Sequence, residues 1–178
     1  MNTEEKTEMA GKPLRAAVVT VSDRGYRGER EDKSGPAAGD ILEQVGAVVS
    51  FHMVPDDRER IASQLCCLAD EERVDVVITS GGTGLSPQDL TPEATLDVVD
   101  RRVPGIAEAI RARSMEKTDR SMLSRGEAGV RKETLIINLP GSPTAVIECL
   151  EVVVGVLDHA VELIRGEVVD CARRAEAR

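Results

Sequence analysis

The sequence predicts a doubly wound α/β domain. Three observations carry that prediction. Short runs rich in Val and Ile alternate with amphipathic segments, two of the runs end in a glycine turn that leads into a helix start, and the polar loops fall repeatedly at the carboxyl ends of the runs. At 178 residues the chain suits one domain, with a core large enough to need no disulfide.

Residues 1–13 are expected to form a flexible lead-in. Order begins at Leu14, where LRAAVVTVS gives a first buried strand ending in Thr20-Val21-Ser22-Asp23. RGYRGEREDK mixes signs and holds two glycines, so it reads as a mobile surface loop. Its Arg24, Arg27, Arg30 and Lys33 could reach a phosphate, but the interleaved acids make a solvated loop the simpler reading. Ser34-Gly35-Pro36 starts a helix with Ile41, Leu42 and Val45 on one face, closed by Gly46. AVVSFHMVP is the second strand, with Pro55-Asp56-Asp57 at its end. Residues 57–72 form the next helix, carrying Ile61, Leu65 and Leu68 at helical spacing.

The third strand starts at Val74, and its β-branched content suits burial on both faces of a parallel sheet. It runs into Thr79-Ser80-Gly81-Gly82-Thr83-Gly84, three glycines and three hydroxyls in six residues. Such a loop can close bare N–H groups around an anion. Neither G-x-G-x-x-G nor G-K-[ST] is completed. Asp89 follows in an exposed loop, and Thr91-Pro92-Glu93 supplies an N-cap hydroxyl, a proline at the first helical position and an acid in the first turn. A carboxylate beside a phosphate loop repels the substrate unless a divalent cation such as magnesium joins them. The bland alternative is that Asp89 caps a turn that the glycines merely shape.

Val103-Pro104-Gly105 punctuates the chain before the helix IAEAIRARSMEK. SMLSRGEAGV then gives a polar loop and a short strand near Ala128 to Arg131. TLIINLPG is the last strong strand. Asn138-Leu139-Pro140-Gly141-Ser142-Pro143 repeats the strand, glycine turn, helix design, with Ser142 as N-cap and Pro143 at N1, and the helix N-terminus offers N–H donors to an anion. One long helix is expected to about Ile164, and residues 168–178 are a frayed tail. Right-handed crossovers put helices on both sheet faces and ligands outside the carboxyl ends of the strands. Ser22, Asp23, Asp56 and the Thr79 to Asp89 stretch therefore share one rim.

Composition narrows the function classes. The net charge of −9 and the near absence of aromatics, with only Tyr26 and Phe51, argue against nucleic-acid binding and against an anionic membrane surface. Between Arg111 and Lys132, however, seven cations face three anions, a local excess that could focus a small polyanion. Cys66, Cys67, Cys149 and Cys171 have no metal-ligand spacing and read as reduced core cysteines. His52 and His159 are isolated. The polar N-terminus lacks a signal-type apolar segment, so the expected location is the cytoplasm.

TVSD, TSGGTGLSPQDLTPEAT, VPGIAEAIR, SRGEAGV and NLPGSP, in this order and spacing, resemble the MoaB/Mog family of molybdenum cofactor biosynthesis proteins. The similarity runs from Leu14 to Glu167, and residues 14–167 are taken as the molybdopterin-binding-type domain. The resemblance implies a three-layer α/β/α fold with a mainly parallel sheet, assembled as a homotrimer or homohexamer. It implies magnesium-dependent adenylyl transfer from ATP to the terminal phosphate of molybdopterin, with release of pyrophosphate. The family's two functional acids fall on Asp56 and Asp89, which are the catalytic and metal candidates. Thr79, Ser80, Gly81, Gly82 and Thr83 match the phosphate loop, and Asn138, Leu139, Pro140, Gly141 and Ser142 match the loop lining the pterin pocket. Ser22, Asp23, Glu93 and Arg125 complete the substrate-binding set at the rim. The alternatives are a non-catalytic molybdopterin- or molybdate-binding homologue, an oligomeric scaffold, and a nucleotide-processing enzyme of the competence/damage-inducible group.

Overall fold

The computed structural model describes residues 13–167; the expectations for the first twelve residues, for the tail from residue 168 and for Cys171 lie outside the described residues. Six strands form one sheet. They are β1 Arg15–Val21, β2 Val48–Val54, β3 Val76–Ser80, β4 Arg101–Arg102, β5 Ala128–Arg131 and β6 Thr134–Leu139, in the order β2-β1-β3-β6-β5-β4. The first four in that order are parallel, and β5 and β4 run antiparallel at the far edge. The predicted doubly wound, mainly parallel sheet is therefore present, extended by the two-residue β4, which no periodicity announces.

Among the described residues seven α-helices surround the sheet: α1 Asp23–Tyr26, α2 Ser34–Gln44, α3 Arg58–Cys66, α4 Thr91–Val98, α5 Pro104–Met115, α6 Pro143–Val153 and α7 Leu157–Arg165. Alternation along each central strand divides the apolar side chains between two cores. Val18, Val76, Ile78, Leu135 and Ile137 face α2, α5, α6 and α7, where Leu42, Ile110, Leu150 and Leu157 meet them. Ala17, Val19, Val77 and Ile136 face α3 and α4, against Ile61, Leu65 and Ala94. This is the three-layer arrangement. The β-branched runs are central strands because both faces are covered.

Four local expectations are corrected. The segment after β1 is partly built rather than loose: α1 opens on Ser22, whose hydroxyl accepts from Gly25 N–H, and Asp32 caps the start of α2. The helix expected over 57–72 stops being α-helical at Cys66 and continues as a π-turn, Cys67–Glu71. Cys66 and Cys67 lie at that junction and are only partly buried, whereas Cys149 is buried as expected. The long last helix is broken by a 3-10 turn at Val154–Val156, where Gly155 offers no side chain to pack. Among the described residues no helix is long and apolar enough to cross a membrane.

Core position dictates the cost of truncation. Ile78 is fully buried and Val48 is 61% exposed. Ile78→Ala is expected to cost about 2–5 kcal/mol in urea unfolding, and Val48→Ala within about 0.5 kcal/mol.

Candidate active site

The strand order places a topological switch point between β1 and β3. The chain leaves β1 toward β2 on one side and returns to β3 on the other, so the two connecting loops diverge and a crevice opens at the carboxyl ends. Ser22 follows β1 at this point and Gly81 follows β3. A cavity of about 990 Å³ lies above them, lined by Ser22, Ser80 to Gly84, Asp89 and Pro140 to Pro143.

The glycines of the floor are required by geometry. Gly81 has φ +110°, and a Cβ there would come within 2.4 Å of the Val21 carbonyl oxygen. Gly82 has φ +63°, and its Cβ would meet Thr91 Oγ1 at 2.4 Å. Gly81 N–H donates to Leu139 O (3.1 Å), but the N–H groups of Gly82, Thr83 and Gly84 donate to no acceptor among the described residues. Three unspent donors in sequence make an anion cradle. The second glycine loop abuts the first, since a Cβ on Gly141 would lie 3.3 Å from Gly81 Cα. Ser142 is the N-cap of α6 but makes no side-chain capping bond, so this helix start is open toward the cavity that Ser142, Pro143 and Ala145 line.

Thr91 has a different task from the predicted cap. Leu90 holds the N-cap position of α4, while the Thr91 hydroxyl donates to Gly81 O (2.9 Å) and its N–H to Gly82 O (3.1 Å). Both carbonyls of the glycine pair are thereby fixed, which turns the N–H groups that follow toward the open side.

Two acids behave differently at the rim. Asp89 accepts Ser86 N–H through Oδ2 (2.8 Å), closing a tight turn that puts its carboxylate against Gly84. Asp56 and Asp23 bind each other's backbone: Asp23 N–H donates to Asp56 Oδ2 (2.8 Å) and Asp56 N–H to Asp23 Oδ1 (3.1 Å). Burial pushes the Asp56 carboxyl above the usual carboxylate range, and the charges of Asp23 and Asp89 add to the rise against the pull of the Asp23 N–H. Arg27 Nη1 lies 3.7 Å from Asp23 Oδ2, but among the described residues no cation pairs with Asp56.

Arg125 holds the loop that carries Asp89. Its Nε donates to Gly84 O (2.7 Å), Nη2 to Asp89 O, and Nη1 pairs with Glu93, while its backbone N–H donates to Thr83 O (2.9 Å). One residue thus ties together four positions between Thr83 and Glu93. Burial alone would raise the Glu93 carboxyl, but the Arg125 guanidinium outweighs it and holds it below the ordinary range.

The chain as a whole is similar to known proteins. The family profile described as probable molybdopterin binding domain matches residues 17–159. A molybdopterin adenylyltransferase of Helicobacter pylori is 40% identical over 156 residues, 86% of this chain and 89% of its own. The crystal structure of the molybdopterin biosynthesis enzyme MoaB from Thermus thermophilus superposes with a TM-score of 0.81 at 47% identity, covering 86% of this chain and 97% of that one. The chain is a member of the MoaB/Mog family. The tungsten cofactor synthesizing protein MoaB of Pyrococcus furiosus is also similar, with a TM-score of 0.79 at 36% identity over 88% of this chain and 99% of that one.

Of the residues that MoaB/Mog membership singles out, Ser22, Ser80, Gly81, Gly82, Thr83, Asp89, Pro140, Gly141 and Ser142 line the cavity together. Asp23 and Asp56 stand beside it, locked to each other. Thr79, Asn138 and Leu139 lie inside the sheet: Thr79 and Leu139 are fully buried, and Asn138 Nδ2 donates to Thr79 Oγ1 (3.0 Å) and Thr95 Oγ1 (2.9 Å) while its Oδ1 accepts Glu127 N–H (3.2 Å). By strand alternation Thr79 and Asn138 share one face and Leu139 takes the other, and none of the three lines the cavity. Glu93 Oε1 pairs with Arg125, whose other donors go to Gly84 O and Asp89 O, while Glu93 Oε2 is buried without a partner among the described residues. Asp32 was missed in the sequence. It lines the cavity and accepts from Thr20 Oγ1 (2.6 Å), Ser34 N–H and Oγ (3.0 Å each) and Gly35 N–H (2.9 Å). The available signal was D-x-S-G before a helix, an Asp placed to cap.

Two outcomes follow from these contacts. In Arg125→Ala, exchange of the bonded loop amides of Ser86, Gln88 and Asp89 is expected to quicken by about tenfold or more, the equivalent of one charged hydrogen bond, with exchange in the central strands little changed. Half-burial would raise the Asp32 carboxyl, but its four hydrogen bonds hold it below the usual value. A depressed folded pKa gives stability that is present above the unfolded value near 3.8 and is lost as pH falls through the folded one. Melting curves from pH 7 downward should therefore show wild type and Asp32→Asn converging at the acid end.

Proposed function

We propose that the protein transfers the adenylyl group of ATP to the terminal phosphate of molybdopterin, a step of molybdenum cofactor biosynthesis. The observation that carries this reading is the row of unspent N–H groups at Gly82, Thr83 and Gly84 beside Asp89, on the floor of a cavity roomy enough for two phosphate-bearing substrates. The names of the similar adenylyltransferases support it.

The nucleophile is an oxygen of the pterin's phosphate. It forms a bond to the α-phosphorus of ATP, the bond from that phosphorus to the α,β-bridging oxygen breaks, and the electron pair leaves with pyrophosphate. An ionised phosphate needs no base, which agrees with a site built without histidine: His52 sits on β2 between Ser50 and Gln64. Catalysis then rests on alignment and on neutralising charge. The free N–H groups and the open start of α6 hold phosphoryl oxygens, the Arg125 clamp keeps the loop from yielding, and the cavity walls exclude water.

Magnesium fits the acids present. Asp56 is burdened by neighbouring negative charge, and Asp89 reaches the cavity. Among the described residues no three His, Cys, Asp or Glu side chains converge as a complete cage, so the ion would take its remaining ligands from phosphates and water, as magnesium commonly does. Asp89 and Asp56 would hold it. Bound there, it would shield the phosphate oxygens from one another. As the working form we propose a cytoplasmic homotrimer or homohexamer, for which the exposed Phe51 on the edge strand β2 supplies apolar contact surface.

The test is pyrophosphate release from ATP, with and without magnesium and molybdopterin. Release should require both. Asp89→Asn and Asp56→Asn should each lower it by about 100-fold or more, and Asp56→Asn should melt no lower than wild type because it relieves repulsion while keeping an acceptor. Molybdopterin binding without pyrophosphate release would instead assign the chain to non-catalytic binders.

A further inference from the structure

Arg30 and Arg120 both line the large cavity, and neither makes an ion pair or a side-chain hydrogen bond with a described residue. Partners are not scarce, since the chain carries 32 acids against 23 Lys and Arg. The third arginine lining the cavity is engaged, since Arg111 gives Nη1 to Gly126 O (2.8 Å), and Arg125 behind the floor is spent on its loop. The lining acids are also accounted for. Glu148 pairs with Lys117 (2.9 Å), Glu31 lies 4.0 Å from Lys33, both Asp32 oxygens are taken, and Asp89 closes its own turn.

Arg120 is anchored at its own backbone N–H and Arg30 stands two residues from an anchored position, while both are free at the head. Two residues after Arg30, the Asp32 carboxylate fixes the chain to Thr20 at the end of β1 and to the start of α2. Arg120 sits in a 3-10 turn, Asp119–Leu123, where Thr118 Oγ1 accepts Arg120 N–H (3.3 Å) and Thr118 O accepts from Ser121 Oγ (2.7 Å). Unspent guanidiniums on separate segments suit a ligand with several anionic oxygens, which each can meet in bidentate fashion.

We infer that Arg30 and Arg120 grip the β- and γ-phosphates of the nucleotide, the part that departs as pyrophosphate; this rests on the adenylyl-transfer reading above. The floor donors and Asp89 lie at the switch point, where the α-phosphorus and the attacking phosphate meet. When the bond to the α,β-bridging oxygen breaks, its electron pair stays with the pyrophosphate, and among the described residues these two are the lining arginines left without a partner to meet it. Asp32 is the positioning residue for Arg30.

The experiment uses Arg30→Ala, Arg120→Ala and the Lys variants of each in the full chain. It measures KM for ATP, KM for molybdopterin, and calorimetric binding of inorganic pyrophosphate with magnesium. Each Ala variant should raise KM for ATP about tenfold and weaken pyrophosphate binding in parallel, leave KM for molybdopterin within about twofold, and be partly rescued by Lys. A rise confined to the molybdopterin KM would overturn the assignment and give the arginines to the pterin phosphate; no change in either constant would overturn it as well. If wild type releases no pyrophosphate, the adenylyl-transfer reading fails, and the binding arm still decides: weaker pyrophosphate binding in the variants supports the grip, and equal binding ends it.

Discussion

The site depends on one guanidinium. Arg125 reaches from the start of β5 to the loop after β3 and takes Gly84 O, Asp89 O and the Glu93 carboxylate at once. Without it, the stretch from Thr83 to Leu90 would be secured by little beyond the Asp89 turn and the Thr91 contacts, because its small and polar residues bury little apolar surface and Leu85 is exposed. A loop that must present bare N–H groups cannot stabilise itself by using them. The stabilising bonds therefore go to its carbonyls, and a planar fork of donors is well suited to collect several. Arg125 thus acts on substrate at one remove.

Two carboxylates near the rim show opposite solutions to the same problem. Asp32 is half-buried and fully satisfied by donors from β1 and α2. Asp56 is buried to a similar degree but receives one backbone donor and faces two other acids. The first contributes stability and the second gives some up. That contrast separates scaffold from chemistry more clearly than exposure does, since a frustrated carboxylate is of use only where a cation is to come.

Much of the architecture is legible in the residues. Val and Ile runs such as Val76 to Ile78 announced central strands, and Gly81-Gly82 and Pro140-Gly141 marked the turns from which the site is built. What could not be read was any feature decided by distant partners. Arg125 looks like one more cation in a basic stretch until Gly84 and Asp89 are folded against it. Asp32 lies among mixed charges that suggested solvation, and only the approach of Thr20 gives it a fixed place. Thr91 seemed a helix cap because local spacing favoured it, and the carbonyl of Gly81 outcompeted that use. The division of the last helix at Gly155 was similarly hidden, because its apolar pattern continues across the break.

The near contact between Gly81 and Gly141 has a thermodynamic consequence. The width of the cavity floor is set by two backbones lying against each other, with no side chain between them to rotate. An anion settling there orders almost nothing in the protein, so little of its binding free energy is lost to conformational entropy. Arg30 and Arg120 on the walls are the opposite case, since immobilising each long side chain costs about 0.5–1.5 kcal/mol. A rigid floor and loose walls give the cavity one part that holds whatever phosphate arrives and another that can let its half go.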